Sequence, residues 1–437
     1  MVVAKLKQDQ ALVQIAAGIT LLLLGVLAFV GASIAQPSSL ATMLPWQSVK
    51  LRRLLTIAGG WFAFAGAVVL AGYFLGKRLE PSEETGGASR NSRLVAIAVL
   101  GVLIIAHIAA YGWLAVERHR RFNSTGFDLA IKEQVIWNTA RGRFFASSPE
   151  VDNAFEDHFQ PVMLALVLPY ALAPSPELLL WLQVIGVAAG VIPLFCLAER
   201  RLNGSGLALA VAAVYLLYPA IGFVDRFDFH PEAFAIPAFI AAFDALDRGK
   251  LKAASLWLLV PLLAKENLGF SVAVFGLYSA IFQRRVKFGL MWTGVGLAVS
   301  SATMFWLIPT LRQEPSDTVA RYDWLGNSPG QIAWTLLSRP GYVCQTLAEP
   351  NRGLYLLQLL LPVGFLALLA PPELLLLIPG LAINLLAQHH CQAEIYCQYA
   401  VPIIPFVFIA AVLGLQRLGG RVARRWVLYA LGMAVLI

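Results

Sequence analysis

Long apolar runs separated by short polar connections dominate the chain. Thirteen can be drawn, at about 11–35, 54–76, 94–116, 177–199, 205–224, 231–247, 251–264, 267–283, 288–309, 354–371, 373–388, 398–416 and from 426 onward. A bilayer crossing takes roughly 20 apolar residues in a helix, and an unbroken run of that length predicts a spanning helix. The pattern therefore predicts an all-α integral membrane protein, a multi-pass helical bundle with about 13 transmembrane segments. Two connections are long, 117–176 and 310–353, and the first holds a further apolar stretch, Pro161–Ala173, too short to cross. Within it, Phe127–Arg141 has the spacing of an amphipathic helix lying on the membrane. The segment 77–93 reads as a linker, polar, Gly/Ser-rich and charged at both ends. It sets residues 1–90, two apolar segments and the linker, apart from a membrane core at 91–437. No internal repeat is visible. The last run, Trp426–Ile437, reads as a helix cut short.

Composition agrees with the pattern. Of 437 residues, 59% are hydrophobic and 13% charged, against about 45–50% and about 25% in ordinary soluble domains. The net charge of +8 would suggest nucleic acid in a soluble chain; here it first has to be sorted by membrane side. Lys and Arg prefer cytoplasmic loops. With the N-terminus inside and every run crossing once, the inner loops are 77–93, 200–204, 248–250, 284–287 and 417–425, all rich in Lys and Arg. Lys50, Arg52 and Arg53 fall outside, against the trend. The expected location is the inner or plasma membrane, with no nucleic-acid partner. Run 11–35 is too long for a signal-peptide core and reads as the first span. Cys196, Cys344, Cys391 and Cys397 show neither CxxC nor zinc-ligand spacing.

This sorting separates two kinds of charge. Ionisable residues in the inner loops read as topology signals, whereas those outside form tight clusters of mixed sign. Every histidine except His107 is placed at the outer face, toward periplasm or exterior. Charges at a membrane boundary are costly, so each cluster is a candidate site. Asp128 opens the amphipathic helix and reads either as a capping carboxylate or as a functional acid. Asp157-His158 suits proton sharing, metal binding or a substrate hydroxyl, or His158 caps the helix at Pro161. In the run 225–232, Arg226, Asp228, His230 and Glu232 exceed what capping at Pro231 requires. Lys265 and Glu266 form either an ion pair ending one helix or a phosphate contact. His389, His390, Cys391 and Cys397 lack a standard metal spacing, and Tyr396 and Tyr399 read as pocket-lining or belt aromatics.

Several spaced motifs carry a resemblance. Gly126-Phe127-Asp128, Gln134…Trp137-Asn138-Thr139, Asp157-His158-Phe159, Asp228-Phe229-His230-Pro231-Glu232, Lys265-Glu266…Gly269 and Tyr399…Pro402…Pro405 resemble a bacterial and archaeal family of multi-pass membrane proteins of unknown function. The likeness covers about residues 94–418. That family is similar in layout to the GT-C glycosyltransferases, which take sugars from polyprenyl-phosphate donors. The resemblance implies a GT-C-like fold in which Asp128, early in the first large outer loop, is the catalytic base. It implies a polyprenyl-phosphate-linked sugar as donor, with a lipid, glycan or protein acceptor. Lys265 and Arg143, then His230 or Arg226, would meet the phosphate. Asp157, His158, Asp228, Glu232 and Glu266 would hold sugar hydroxyls or Asp128, with Tyr396 lining the pocket. Those enzymes often carry two adjacent acids where this chain has Phe127-Asp128, so no cofactor is required and a divalent cation is optional. The rival readings are a multi-pass transporter and a non-catalytic assembly protein.

Overall fold

The computed structural model describes residues 90–149, 151–312 and 320–419. The predicted segments 11–35 and 54–76, the linker as far as residue 89, and the run from 426 onward lie outside the described residues. By contact the chain divides into two compact units, Met1–Val99 and Leu100–Ile437. The candidate site belongs to the second.

In chain order the helices are α1 (Arg90–Arg120), α2 (Ile131–Ala140), α3 (Leu164–Leu172), α4 (Pro176–Ala189), α5 (Val191–Leu202) and α6 (Ser205–Leu216). There follow α7 (Pro219–Arg226), α8 (Ala235–Asp247), α9 (Leu251–Ala264), α10 (Leu268–Ile281), α11 (Val286–Ala302) and α12 (Ile308–Arg312). The last are α13 (Pro329–Ser338), α14 (Pro340–Leu347), α15 (Pro350–Leu360), α16 (Pro371–Leu374), α17 (Ile378–Leu386) and α18 (Ile404–Leu418). Short 3₁₀ and π turns join several of them, and the β structure among the described residues is an isolated bridge between Ala146 and Asn153. Proline sets many of the starts. It stands in the first turn of α4, α7, α13, α14 and α15, where its missing N–H costs nothing. Asn203, left-handed at φ 51°, ends α5.

The chain is an all-α membrane protein, but fewer helices reach membrane length than the apolar runs predict. Among the described residues three are long and apolar enough to cross: Ser92–Arg120, Pro176–Leu202 and Val286–Arg312. A fourth is added if Ser205–Leu216 and Pro219–Arg226, bent by 46°, count as one span. Predicted runs 251–264 and 267–283 hold helices of 14 residues each, about 21 Å at 1.5 Å per residue. Predicted run 354–371 is broken after Leu360, where Gly364 and Phe365 are both left-handed. Apolar content registers burial in protein as readily as burial in lipid, so the apolar runs alone do not fix the number of crossings.

The core shows this. Every residue of α18 from Ile404 to Leu415 is buried, so this helix is enclosed by protein. The rings of Tyr215 and Tyr218 meet Phe408 at 5.1 and 5.0 Å, and Phe239 meets Phe406 at 4.8 Å. Long helices flank this centre with apolar residues outward: Val102 and Ile105 on α1 and Leu290 on α11 are more than half exposed. The glycines of α10 and α11 let those two backbones nearly touch. A Cβ on Gly296 would lie 2.4 Å from the Gly269 carbonyl oxygen, and one on Gly289 would lie 2.5 Å from that of Gly276. Gly296→Leu is therefore expected to destabilise the fold by at least about 1–3 kcal/mol, the usual cost of overpacking. Gly101→Ala, which meets nothing within 4 Å, is the control. Thermal unfolding in detergent checks this; equal melting of the two variants would contradict the close packing.

The connections at the two ends of α8 differ in chemistry. At its C-terminal end Arg200 pairs with Asp244 and Asp247, Arg201 with Asp247, and Arg248 with Asp244. The charges read from sequence as bare topology signals thus also form an ion-pair network. His230 and Glu232 precede the N-terminal end, and the other clustered residues gather there.

Candidate functional site

A cavity of about 820 Å³ is lined by residues from widely separated segments, including Asp128, Lys132, Asp157, His158, Gln160, His230, Glu232, Lys265, Glu266, Arg312, Arg321 and Tyr399. Phe270, Met304, Ile332, Ile383 and Leu386 supply an apolar part of the wall. The volume falls within the usual range of small-molecule sites, roughly 300–1,000 Å³.

Asp128 lies in a single π turn, Gly126–Ala130, ahead of α2. Thr125 is the cap, its hydroxyl oxygen accepting from the Asp128 N–H at 3.2 Å. The Asp128 carboxylate is thus a first-turn group free for other partners. It meets the Thr125 hydroxyl at 3.0 Å and His230 Nε2 at 3.2 Å. His230 Nδ1 lies 2.8 Å from the Asp228 backbone oxygen. A carbonyl only accepts, so Nδ1 carries a proton and Nε2 is the nitrogen turned to Asp128. Burial pushes the Asp128 carboxyl up, but His230, Thr125 and Lys132 together hold it below the ordinary aspartate range.

Asp228 stands behind this turn, 1% exposed and outside the cavity lining. It accepts from Arg118 Nη1 at 2.5 Å, from the Thr125 N–H at 2.7 Å and from the Thr125 hydroxyl at 2.7 Å. That hydroxyl has one proton and lies between the carboxylates of Asp128 and Asp228. Asp228 therefore ties α1 to the turn that presents Asp128. Its neighbour Asp225 is fully buried, and His107 of α1 meets it at 2.7 Å.

Lys265 and Glu266 do not pair with each other as the adjacent spacing suggested. Lys265 Nζ donates to Glu232 Oε1 at 2.6 Å, and Gln160 Nε2 donates to Glu232 Oε2 at 3.1 Å. Burial lowers Lys265, but Glu232 and Glu266 outweigh it and hold the ammonium above the ordinary lysine range. Glu266 turns instead to His158, its Oε1 3.0 Å from Nδ1, while its Oε2 accepts from the Phe159 N–H at 3.1 Å. Burial raises Glu266; His158, Lys265 and the backbone overcome this and lower it. His158 therefore does not cap the helix at Pro161, whose N-cap is Gln160.

Two cations in the lining are differently placed. Lys132 is 6% exposed, and among the described residues no carboxylate comes within 4.0 Å of its ammonium. Arg321 donates to Gln392 Oε1 at 3.2 Å and to the Tyr399 hydroxyl at 3.1 Å, both neutral. Tyr399 is shared: Arg321 lies 5.7 Å and Lys265 5.9 Å from its ring centre. Gln392, Gln398 and Tyr399 belong to or follow a loop closed by a Cys391–Cys397 disulfide. Among the described residues no three His, Cys, Asp or Glu side chains converge as a metal site.

Of the residues picked from sequence, the cavity unites Asp128, Asp157, His158, His230, Glu232, Lys265 and Glu266. Arg143, Arg226, Asp228 and Tyr396 are not in its lining. Arg143 lies 5.3 Å from the Trp137 ring, Arg226 covers Phe223 at 4.7 Å and bonds the Gly222 carbonyl, and Tyr396 packs edge-on against Phe223 at 4.6 Å. Sequence reasoning missed Lys132, Gln160, Arg312 and Arg321. Lys132 had a signal, since it follows Asp128 by four residues and shares its helical face. Arg321 had none.

A family model described as "Predicted membrane protein (DUF2079)" matches residues 118–437, and the chain belongs to that family. The matched region contains every residue of the cavity lining. No curated protein matches the chain.

Proposed function

We propose that this protein is a membrane glycosyltransferase, of GT-C-like layout, that moves a sugar from a polyprenyl-phosphate donor to an acceptor hydroxyl. The observation that carries the reading is one cavity in which carboxylates and imidazoles face Lys132 and Arg321, with an apolar wall on α17. Each part has a task. Cationic donors stabilise charge on the departing phosphate, a base takes the acceptor proton, and the apolar wall accommodates the lipid chain. Asp128, drawn low and presented by Thr125 and Asp228, meets the sugar. An outer-face site is supported by the Cys391–Cys397 disulfide beside the cavity, because disulfides persist in oxidising compartments. The transporter reading draws on the bent pair α6–α7 and the buried His107–Asp225 contact. Neither His107 nor Asp225 lines the cavity, so the transferase reading is preferred.

The test is a glycolipid and glycoprotein profile of cells with and without the protein. Deletion is expected to remove one glycoconjugate, which the wild-type chain restores. Asp128→Asn is expected to restore about a hundredth or less, as removal of a group acting on the transition state commonly costs, while accumulating normally. An unchanged profile together with lost uptake of a solute would establish the transporter instead.

A further inference from the structure

Two imidazole–carboxylate pairs face the same cavity, and they are arranged in opposite senses. In the first, the carboxylate is presented: Asp128 is one-third exposed, and His230, 4% exposed, has Nδ1 on a backbone carbonyl and Nε2 on Asp128. Both nitrogens of that ring are engaged. In the second, the imidazole is presented. Glu266, 3% exposed, is fixed by the Phe159 N–H and holds His158 Nδ1, while the His158 side chain keeps 23% exposure. An ionised carboxylate only accepts, so Nδ1 carries a proton and the neutral ring presents Nε2 as its lone-pair nitrogen. Asp157 lies 3.6 Å from that nitrogen, beyond a good hydrogen bond.

We propose that His158 Nε2, oriented by Glu266, is the base that takes the proton from the acceptor hydroxyl. The inference rests on the transferase reading above and assigns its proton. The acceptor O–H gives its proton to Nε2, and the acceptor oxygen bonds the anomeric carbon. The bond from that carbon to the phosphate oxygen breaks, and its electron pair leaves with the polyprenyl phosphate. The imidazolium returns its proton to water once product departs. Asp128 is poorly matched to that step, because a carboxylate held below its ordinary range is a weak base; it is well matched to accepting a hydrogen bond from a sugar hydroxyl. The charged groups that meet His158 are Glu266 from the α9–α10 connection and Asp157 beside it; Lys265 acts on both of these carboxylates, and Lys132 of α2 and Arg312 of α12, which lies 4.0 Å from Asp157, act on Asp157.

The full chain in phospholipid vesicles is given radiolabelled hexoses and pentoses on polyprenyl phosphate, and sugar release or transfer is followed against pH. His158→Gln is expected to lower the rate by about 10²–10⁴-fold, the usual contribution of a general base, and to abolish the acidic limb of the profile. Asp128→Asn slows the reaction and keeps that limb. A limb retained in His158→Gln and lost in Asp128→Asn overturns the proposal. A second measurement stands apart from turnover: diethyl pyrocarbonate labelling at pH 8, read by peptide mass spectrometry. His158 is expected to label about tenfold faster than His230, because only its ring presents an open nitrogen, and Glu266→Gln is expected to remove most of that difference. If the wild-type chain moves none of these sugars, the transferase reading falls, and the labelling still decides whether His158 is the open base of the cavity. Equal labelling of the two histidines overturns that as well.

Discussion

Glu232→Ala is expected to cost roughly 3–5 kcal/mol, the measured scale for removing one partner of a buried ion pair, and to leave little folded protein. Glu232 is 3% exposed and uses both oxygens, one for Lys265 and one for Gln160. Its removal strands an ammonium whose side chain is only 12% exposed. Glu266 still acts on Lys265 through space, which softens the loss without replacing the hydrogen bond. The double variant Glu232→Gln with Lys265→Met should regain most of the stability, because a buried pair replaced as a unit often costs little. Thermal unfolding of Glu232→Gln, Lys265→Met and the double in detergent completes the cycle, with Glu232→Ala measured beside them. A double variant as unstable as Glu232→Ala would mean that the charges are not coupled. The result also bears on function. A lysine whose charge is already matched by a carboxylate at 2.6 Å is a poor choice to receive a phosphate, although the resemblance implied that role.

The run 225–232 shows what could and could not be read from the chain. Its density of charge marked it as a site, and the cavity does include His230 and Glu232. How the run divides is a tertiary matter. Asp225 goes to His107, Asp228 to Arg118 and Thr125, His230 to Asp128, and Glu232 to Lys265. Most of these partners lie about a hundred residues away in sequence, on helices whose approach no local pattern encodes. Two proline-marked starts were legible, because proline acts within one turn: Pro161 and Pro231 each open a 3₁₀ turn that leads into a helix. Crossing number was less so, since a helix buried like α18 is as apolar as one in lipid. The Cys391–Cys397 pair, six residues apart, matches no diagnostic spacing, and only folding shows that the two sulfurs meet.

Arg321→Gln is expected to leave the fold intact and to weaken donor turnover by about 10²–10³-fold, the cost of losing one preorganised donor at a developing oxyanion. The contrast with Glu232 follows from partners. Arg321 is bonded to a neutral amide and a neutral phenol, and among the described residues no carboxylate lies within 4.0 Å of its guanidinium. Losing those two bonds costs about 0.5–1.5 kcal/mol each, as ordinary hydrogen bonds do, and strands no buried charge. What disappears is a positive charge held in the cavity wall by Tyr399 and Gln392, ready for an anion. Arg321→Lys should recover only part of the activity, because an ammonium cannot reproduce the two-pronged contact of a guanidinium with phosphate. The decisive measurement is binding of polyprenyl phosphate to the wild-type and variant chains in nanodiscs at two salt concentrations. Weaker binding with a shallower salt dependence, and unchanged melting, would place the phosphate at Arg321. Unchanged binding by Arg321→Gln, with a loss in Lys265→Met, would return it to Lys265, and the Glu232 pair would then have to open when the donor arrives.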